Sequence, residues 1–300
     1  SLFNIKKELE NKKSKTNFHY LLKSVTDLNS VEFCFSKFKI DVVFHAAAYK
    51  HVYMTENMPQ TTIINNILGT KNVIDTTINR GVSTFVFVST DKAVNPSNIM
   101  GATKRIAEMY VSGISSENKT KIITTRFGNV LGSNGSVVPI FQSQIAKGGP
   151  VTVTHPKVTR FFMTITEACQ LVLEAGATGN HGEIYVFDMG KPVKIIDLAI
   201  NMIRLSGLIE NEDIEIKFSG LNEGEKLYEE LLTDQENLKN SHNKLIFIAD
   251  KQKIDISLKT MILQLIADAS NSKSTSSLVS SIKKIVPEFK STNSSYKKLK

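Results

Sequence analysis

Short apolar runs alternate with helical patterns in the first half of this chain, and that alternation limits its fold more than any other feature. The strand-like runs are "DVVFHAAA" (41–48), "TFVFVST" (84–90) and "KIITTRFGNVLG" (121–132), and helix-like segments cover residues 61–81 and 101–114. Continuous apolar runs indicate strands that are buried on both faces, as in a parallel sheet covered by helices. The strand–helix–strand order predicts right-handed βαβ units, and therefore an α/β protein with a doubly wound parallel sheet.

The first glycine of the chain is Gly69, which bears on how the sheet begins. A dinucleotide-binding sheet needs a glycine-rich turn after its first strand, so that backbone N–H groups can approach a pyrophosphate. No Gly-x-Gly-x-x-Gly pattern occurs before residue 65. We therefore predict that residues 1–132 form a partial Rossmann-like dinucleotide-binding domain whose first βα unit is missing.

The sequence that follows Gly132 is richer in turn residues, which predicts a smaller substrate-binding lobe over residues 133–250, with some returns to the sheet. Residues 251–300 are predicted to form a helical and basic C-terminal tail that is partly disordered, because it contains serine-rich runs. Residues 271–300 hold seven lysines and one acidic residue, and so contribute +6 of the net charge of +8. Nucleic-acid binding would depend on this tail alone, and we expect no nucleic-acid partner.

Two further classes of function are disfavoured by composition. No run of 18 apolar residues occurs, so we expect no membrane span in this chain. The two cysteines, Cys34 and Cys169, are far apart, and the six histidines lack the spacing of metal ligands. We therefore expect a reducing compartment and no metal site.

Seven motifs follow one another in order and carry a family resemblance. They are "FHAAAYKHV" (44–52), "NNILGTKN" (65–72), "STDKAVNPSNIMGATKR" (89–105), "RFGNVLGSNGSVVPIF" (126–141), "GGPVTVTHPKVTRFFMT" (148–164), "DMGKPVKIIDLA" (188–199) and "GEKLYEELL" (224–232). Together they resemble the extended short-chain dehydrogenase/reductase superfamily. Within it, the chain is similar to the membrane-anchored UDP-N-acetylglucosamine 4,6-dehydratases of the capsular polysaccharide biosynthesis type, truncated at the N-terminus.

This resemblance implies NAD as the cofactor and a UDP-sugar as the substrate. In such enzymes the C4 hydroxyl of the sugar is oxidised by hydride transfer to NAD, water is eliminated across C5 and C6, and the hydride returns to C6. The product from UDP-N-acetylglucosamine would be UDP-2-acetamido-2,6-dideoxy-4-hexulose. The resemblance also implies a homo-oligomer in the cytoplasm, at the inner face of the plasma membrane for the full-length relatives.

Two segments are expected to carry the chemistry. Met100 and Lys104 share one face of a predicted helix, where the superfamily has Tyr-x-x-x-Lys. Methionine cannot transfer a proton. The resemblance implies that Lys104 binds the nicotinamide ribose.

Thr90, Asp91 and Lys92 follow a predicted strand. The resemblance implies that Asp91 is the general acid at the C6 hydroxyl, Lys92 the general base at C5, and Thr90 a hydrogen-bond partner of the C4 oxygen. A lysine base needs a lowered pKa, for which Lys104 would be the nearby cation.

The resemblance also assigns binding residues. The expected cofactor contacts are Val25, Asp27, Ala46, Ala47, Ala48, Asn65 and Lys104. The alanines would allow close approach of the cofactor, and Asn65 would hold the geometry of the site. The expected substrate contacts are Lys50, His51, Asn129, Val138, Pro139, Phe141 and Arg160. Among these, the planar guanidinium of Arg160 suits the oxygens of a diphosphate.

One segment departs from the family pattern and keeps other functions open. The family usually has Arg-Pro-Gly-Glu-Lys where this chain has "NEGEK" (222–226), so an arginine contact to phosphate is lost. A non-catalytic assembly subunit of a polysaccharide complex is favoured by Asn222 and by the missing glycine-rich turn. A nucleotide-sugar epimerase, which returns the hydride to C4, needs no acid for a departing hydroxyl, and "STDK" (89–92) therefore favours the dehydratase.

Overall fold

The computed structural model describes residues 2–12, 15–114, 119–232, 238–249 and 255–299. The strands are β1 (Val42–His45), β2 (Thr84–Val88), β3 (Lys121–Arg126), β4 (Asn129–Val130), β5 (Val151–Val153), β6 (Thr159–Arg160), β7 (Phe162–Met163), β8 (Ile184–Phe187), β9 (Val193–Lys194), β10 (Ile216–Phe218), β11 (Leu238–Asn240) and β12 (Ile246–Ala249). A central sheet has the order β1-β2-β3-β8-β12-β11. Its first four strands are parallel, and β12 and β11 continue it in antiparallel pairing. The prediction of an α/β fold with a parallel sheet is confirmed.

Helices cover both faces of this sheet. The helices of the described residues, including those of the smaller lobe, are α1 (Leu2–Asn11), α2 (Leu28–Lys37), α3 (Val52–Asn57), α4 (Pro59–Ile63), α5 (Gly69–Asn79), α6 (Ile99–Ser112), α7 (Val137–Ala146), α8 (Ile165–Thr178), α9 (Ile195–Leu205), α10 (Ile256–Ser270) and α11 (Thr275–Ile285). A π-helical turn (Ile64–Leu68) joins α4 to α5, and a 3₁₀ turn (Asp91–Ala93) follows β2. Within the described ranges, no helix is both long and apolar enough to cross a membrane.

Strand β2 shows how the apolar runs produce the layers. Phe85 and Phe87 belong to the core that also contains Ile106 of α6. Val86, between them, belongs to the core that contains Leu171 of α8 on the opposite face. Because successive side chains of a strand point to opposite faces, both sides of β2 are buried, which is why its sequence is apolar without interruption.

A smaller lobe has a core of its own. Phe141 of α7, Val151 of β5 and Ile203 of α9 pack together in it, and β10 pairs in parallel with β5. Between these elements the chain returns to the main sheet through α8 and β8. The predicted boundary between residues 250 and 251 lies outside the described residues.

Residues 275–299 of the predicted C-terminal tail are folded, and they begin with the helix α11. In α11, Leu278, Val279 and Ile282 are fully buried, and they join the large core on the α6 side of the sheet. The serine-rich composition suggested disorder, but these apolar residues recur at the spacing of one helix face. Lysines occupy other positions of the same helix, so a basic composition and a buried face coexist.

After α11, residues 286–299 form what we call the C-terminal brace, which lies against the loop that precedes α6. The backbone N–H groups of Lys290 and Thr292 donate to the carbonyl oxygens of Pro96 (3.0 Å) and Ser97 (3.1 Å). Asn293 donates from Nδ2 to a carboxylate oxygen of Glu56 (2.8 Å), and the other Glu56 oxygen accepts from the first N–H of α6, at Ile99 (2.6 Å). The brace therefore fixes the start of α6, the helix that carries Met100 and Lys104.

Candidate active site

A cavity of about 360 Å³, the main cavity, lies at the carboxyl ends of β1, β2 and β3, where open parallel sheets bind ligands. The predicted site residues that line it are Ala46, Ala48, Lys50, His51, Thr90, Lys92, Met100, Lys104 and Asn129. They come from segments far apart in sequence, each of which directly follows a strand or begins α6. Because parallel strands end at one edge of the sheet, the polar strand ends meet there.

Asp91 lies behind the wall of the main cavity and is almost fully buried, at 1% exposure. Its Oδ1 accepts hydrogen bonds from the Thr90 hydroxyl (2.8 Å) and from the Lys92 amine (3.0 Å). Its Oδ2 has no hydrogen-bond partner among the described residues. That oxygen faces Gly128 in the cavity wall, where a Cβ would lie only 3.1 Å from it. One carboxylate oxygen is thus fixed by Thr90 and Lys92, and the other is buried without a hydrogen-bond partner among the described residues.

Lys92 is held in its charged form, contrary to the expectation of a lowered pKa. Burial alone would lower the pKa of Lys92, but the carboxylates of Asp91 and Glu229 outweigh burial, and the pKa is raised. The Nζ atom lies 3.0 Å from Asp91 Oδ1 and 3.9 Å from Glu229 Oε1. The cation that opposes these two acids is Arg160, not Lys104, and the acids outweigh it.

The backbone of Lys92 is fixed by the first turn of α6. Asn98 caps that helix, with its Oδ1 accepting the Gly101 N–H at 2.7 Å. A Cβ at Gly101 would lie 2.0 Å from the carbonyl oxygen of Lys92, a distance that no side chain could tolerate. The glycine therefore lets α6 contact the 3₁₀ turn directly, and this contact sets the position of Lys92.

Met100 and Lys104 both line the main cavity from α6 and are buried. Lys104 Nζ donates to the carbonyl oxygen of Val88 (2.8 Å) and lies 3.9 Å from the centre of the Phe87 ring. Burial lowers the pKa of Lys104 to about 7, and the partial compensation comes from Glu108. Lys104 therefore changes its charge near neutral pH, beside a methionine that cannot titrate.

The lowered pKa of Lys104 predicts a specific pH dependence of stability. Its ordinary value is 10.5 and its folded value is about 7, so between these values the unfolded chain binds more protons than the folded one. Relative to Lys104→Met, the free energy of unfolding of the wild type should rise by about 1.4 kcal/mol per pH unit in this window. Below pH 7 the difference should be constant. Urea unfolding of both proteins from pH 6 to 10 measures it, and a difference independent of pH would contradict the prediction.

The structure gives the positioning role expected of Asn65 to its neighbour, Asn66. Asn66 is buried in the π-helical turn and exchanges two hydrogen bonds with the backbone of Tyr49, at 2.8 and 3.1 Å. It also donates to the Thr103 hydroxyl on α6 (3.1 Å), whereas Asn65 is half-buried and donates to Asn66 (3.1 Å). Asn66 therefore ties the loop after β1 to α6 across the main cavity.

Asn66→Ala and Asn65→Ala form a matched pair. We expect Asn66→Ala to lower the free energy of unfolding by about 1–3 kcal/mol, because it leaves backbone groups of Tyr49 without partners. Asn65→Ala should change it by about 0.5 kcal/mol or less, as partly exposed substitutions usually do. Denaturant unfolding of both variants measures the difference. Equal losses would contradict the assignment to Asn66.

Three of the predicted cofactor contacts, Val25, Asp27 and Ala47, do not line the main cavity. Asp27 is exposed and caps α2, accepting from the N–H of Asn29 (3.1 Å) and from the Ser30 hydroxyl. Val25 packs against Gly69, where a Cβ would lie 2.7 Å from its Cγ2. Ala47 is exposed and, unlike Ala46 and Ala48, does not line the main cavity. Val25 and Asp27 are therefore accounted for by local structure.

Lys50 and His51 meet the loop after β4 at the rim of the main cavity. Lys50 Nζ lies 3.4 Å from the Ser133 hydroxyl, and burial lowers the pKa of Lys50. His51 packs on Gly135, which has a φ of +68° and whose Cβ would lie 2.5 Å from the imidazole. A glycine is needed at that position for both reasons.

Arg160 lines a second cavity of about 180 Å³, which meets the main cavity at Lys92. Its guanidinium donates to Glu225 Oε1 (3.1 Å) and to the carbonyl oxygen of Thr159 (2.7 Å), and lies 3.9 Å from Glu229 Oε1. The prediction placed Arg160 with the other substrate residues, but the structure places it in this second cavity, paired with acids. Glu229 and Glu225 were missed, although the acidic run "GEKLYEE" (224–230) was a visible signal.

Three predicted nucleotide contacts lie on α7. Phe141 is 1% exposed, belongs to the core of the smaller lobe and does not line the main cavity. Val138 and Pro139 are half-buried and do not line the main cavity; the α7 residue that does is Val137. Which residues of α7 line the main cavity depends on which face of the helix packs into the core of the smaller lobe. The sequence of one helix alone does not define that face.

A profile of the family described as "Polysaccharide biosynthesis protein" matches residues 1–251. The chain belongs to this family. The capsular polysaccharide biosynthesis protein CapD of Staphylococcus aureus is 55% identical over 245 residues, which are 81% of this chain and 40% of CapD. A UDP-glucose 4-epimerase of Rickettsia rickettsii is 40% identical over 200 residues, 66% of this chain and 57% of that protein. The chain thus spans less than two thirds of the length of either relative.

Solved structures confirm the Rossmann-like fold of this chain. Pen from Bacillus thuringiensis superposes with a TM-score of 0.75 at 34% identity, covering 87% of this chain and 86% of Pen. DesIV, a dTDP-glucose 4,6-dehydratase from Streptomyces venezuelae solved with NAD and TYD bound, superposes with a TM-score of 0.64 at 18% identity, covering 71% of each chain. The predicted kinship with extended short-chain dehydrogenase/reductases of polysaccharide biosynthesis is confirmed.

Proposed function

We propose that this chain is the catalytic part of an NAD-dependent nucleotide-sugar 4,6-dehydratase that acts on UDP-N-acetylglucosamine. The observation that carries the proposal is the Asp91–Lys92 pair at the end of β2, with Asp91 Oδ2 buried behind Gly128 of the cavity wall and without a hydrogen-bond partner among the described residues. Elimination of water needs an acid and a base close together, and this pair supplies both chemical types. Membership of a polysaccharide biosynthesis family and the fold shared with DesIV support the same reaction class.

The residues at one end of the main cavity fit the nicotinamide and its ribose. The Lys104 amine lines the wall, the short side chains of Ala46 and Ala48 leave space, and Ser136 Oγ is buried with no hydrogen-bond partner among the described residues. When bound, NAD supplies the hydride acceptor and donor. The first glycine is Gly69, so residues 1–68 contain no glycine-rich turn for the pyrophosphate.

The roles of Asp91 and Lys92 follow from one proton transfer within the pair. In the free protein Lys92 is charged, and its Nζ lies 3.0 Å from Asp91 Oδ1. Moving one proton across this distance gives a carboxylic acid and a neutral amine without changing the net charge. The amine then takes the C5 proton, and the acid protonates the C6 hydroxyl, which leaves as water. Thr90, at the cavity wall, hydrogen-bonds the C4 oxygen.

Because Met100 stands where the superfamily has a tyrosine, that position cannot accept the proton of the C4 hydroxyl. On that wall of the cavity, Lys104 is the group that can take a proton at neutral pH, because its pKa is about 7. We therefore assign to Lys104 both the contact with the ribose and the acceptance of the C4 proton. Loss of C4 oxidation in Lys104→Met would be consistent with either task.

The test is NMR of UDP-N-acetylglucosamine incubated with the chain and NAD⁺ in deuterated water. The proposal expects a 4-keto-6-deoxy sugar nucleotide that carries deuterium at C5, because the C5 proton is taken and replaced. Binding of NAD is measured in the same samples by equilibrium dialysis. Bound NAD without any product would contradict the dehydratase function, and a chain that binds no NAD would favour the non-catalytic subunit.

A 4-epimerase is the second candidate, favoured by the 40% identity to the Rickettsia UDP-glucose 4-epimerase. A charged Lys92 is also compatible with epimerisation, which takes no proton from C5. The same NMR experiment separates the two reactions. An epimerase would give the C4 epimer with its C6 hydroxyl intact and no deuterium at C5.

A further inference from the structure

Lys92 faces two cavities, and three acceptor oxygens lie around its Nζ atom, which carries three N–H groups. Asp91 Oδ1 and Asn129 Oδ1 each lie 3.0 Å from Nζ. The third acceptor is Glu229 Oε1, which lines the second cavity and lies 3.9 Å away. A gap of that length is too long for a direct hydrogen bond and is commonly bridged by water. Lys92 therefore contacts the sugar side through two acceptors and the second cavity through one.

Glu229 is suited to proton exchange with Lys92. Its side chain is 3% exposed, and burial raises the pKa of Glu229 although Lys92, Arg160 and Lys226 oppose the shift. Asp91 adds to the rise, and these are the charged groups that surround it. The second cavity of about 180 Å³ can hold several waters, because each occupies about 30 Å³ of the liquid. Glu229 thus lies between Lys92 and a space that accommodates water.

We propose that Glu229 is a proton-exchange residue, which exchanges the ammonium protons of Lys92 with water through the second cavity, on the side away from the sugar. An N–H bond of the ammonium breaks, water passes that proton to the Glu229 carboxylate, and the reverse steps return a different proton. Glu229 touches no reacting atom and acts through Lys92. That the exchanged proton reaches C5 rests on the proposed dehydratase function.

The exchange itself is measured in the full chain without substrate. In protein labelled with ¹⁵N-lysine, the Lys92 ammonium signal is assigned by its loss in Lys92→Arg. We expect its hydrogen exchange with water to slow in Glu229→Gln and to stay at the wild-type rate in Glu230→Gln. Glu230 is the matched control, because its side chain is 49% exposed. Glu229→Asp keeps the carboxylate, and we expect an intermediate rate. Equal rates in the wild type, Glu229→Gln and Glu229→Asp overturn the proposal.

A second readout uses the product. In a single turnover in deuterated water the wild type should place deuterium completely at C5, whereas Glu229→Gln should place about two thirds, because one of three ammonium hydrogens would still be the abstracted one. Complete labelling in Glu229→Gln overturns the proposal. Slow exchange in Glu229→Gln together with no product from the wild type overturns the dehydratase function and leaves the proton route standing.

Discussion

Asp91→Asn is expected to lower the rate of 4-keto-6-deoxy product formation by about 10²–10⁴-fold, the usual contribution of a positioned acid or base. Asparagine keeps the size of the side chain but cannot deliver a proton to the C6 hydroxyl. It also removes the carboxylate that pairs with Lys92 at 3.0 Å, so the amine loses its proton partner. Initial rates from NMR, together with a thermal unfolding curve, separate lost chemistry from lost folding.

Asp188→Asn is the matched control for this substitution. Asp188 also follows a strand of the main sheet, β8, but it is exposed and accepts the backbone N–H of Gly190 (2.9 Å). We expect its rate to stay within about twofold of the wild type, since exposed substitutions have small effects. An Asp91→Asn protein with that same rate would remove Asp91 from the mechanism.

Deletion of residues 286–300 is expected to produce the largest loss of stability. Val286, Phe289 and Tyr296 are 0, 3 and 9% exposed, and each buried large apolar side chain contributes about 1.5–3 kcal/mol. The deletion also removes Glu288, which accepts from Arg105 of α6 at 3.0 Å, and Ser294, whose hydroxyl donates to Glu223 at 2.9 Å. We expect a lowered melting temperature by circular dichroism, and a loss of turnover because the start of α6 loses its support.

A control for this deletion changes the charge of the tail without removing a buried side chain. Lys284 lies in α11 with an exposed side chain, so Lys284→Ala lowers the positive charge of the tail and leaves its core untouched. We expect it to melt at the wild-type temperature. If the deletion also melted there, residues 286–300 would be dispensable for the fold, as their composition suggested.

The sheet could be predicted because burial on both faces leaves little choice of sequence. The run from Thr84 to Val88 became β2, and the strand-end rule brought Thr90, Lys92 and Asn129 into one cavity. The tail could not be predicted in the same way. Its serines and lysines dominate the composition, whereas only the partner surface on α6 shows that its few apolar residues are buried.

Charges and packing contacts that form only in the folded chain explain most of what the sequence motifs could not predict. The rise in the pKa of Lys92 depends on Asp91 and also on Glu229, which is far away in sequence and comes near Lys92 only in the folded chain. The choice between Asn65 and Asn66 depends on the rotation of a single π-helical turn, which no pattern of residue types specifies. Phe141 likewise follows the packing of its own lobe.

The match to the family ends at residue 251, yet the large core includes residues of α10 and α11 beyond it. Ile262, Leu265 and Leu278 are buried there together with Ile106 of α6. The limit of sequence similarity is therefore not a limit of folding. In evolutionary terms, the last helices of this chain and the face of α6 beneath them have to change together. A tail from another family member could therefore not be exchanged into this protein without compensating substitutions in α6.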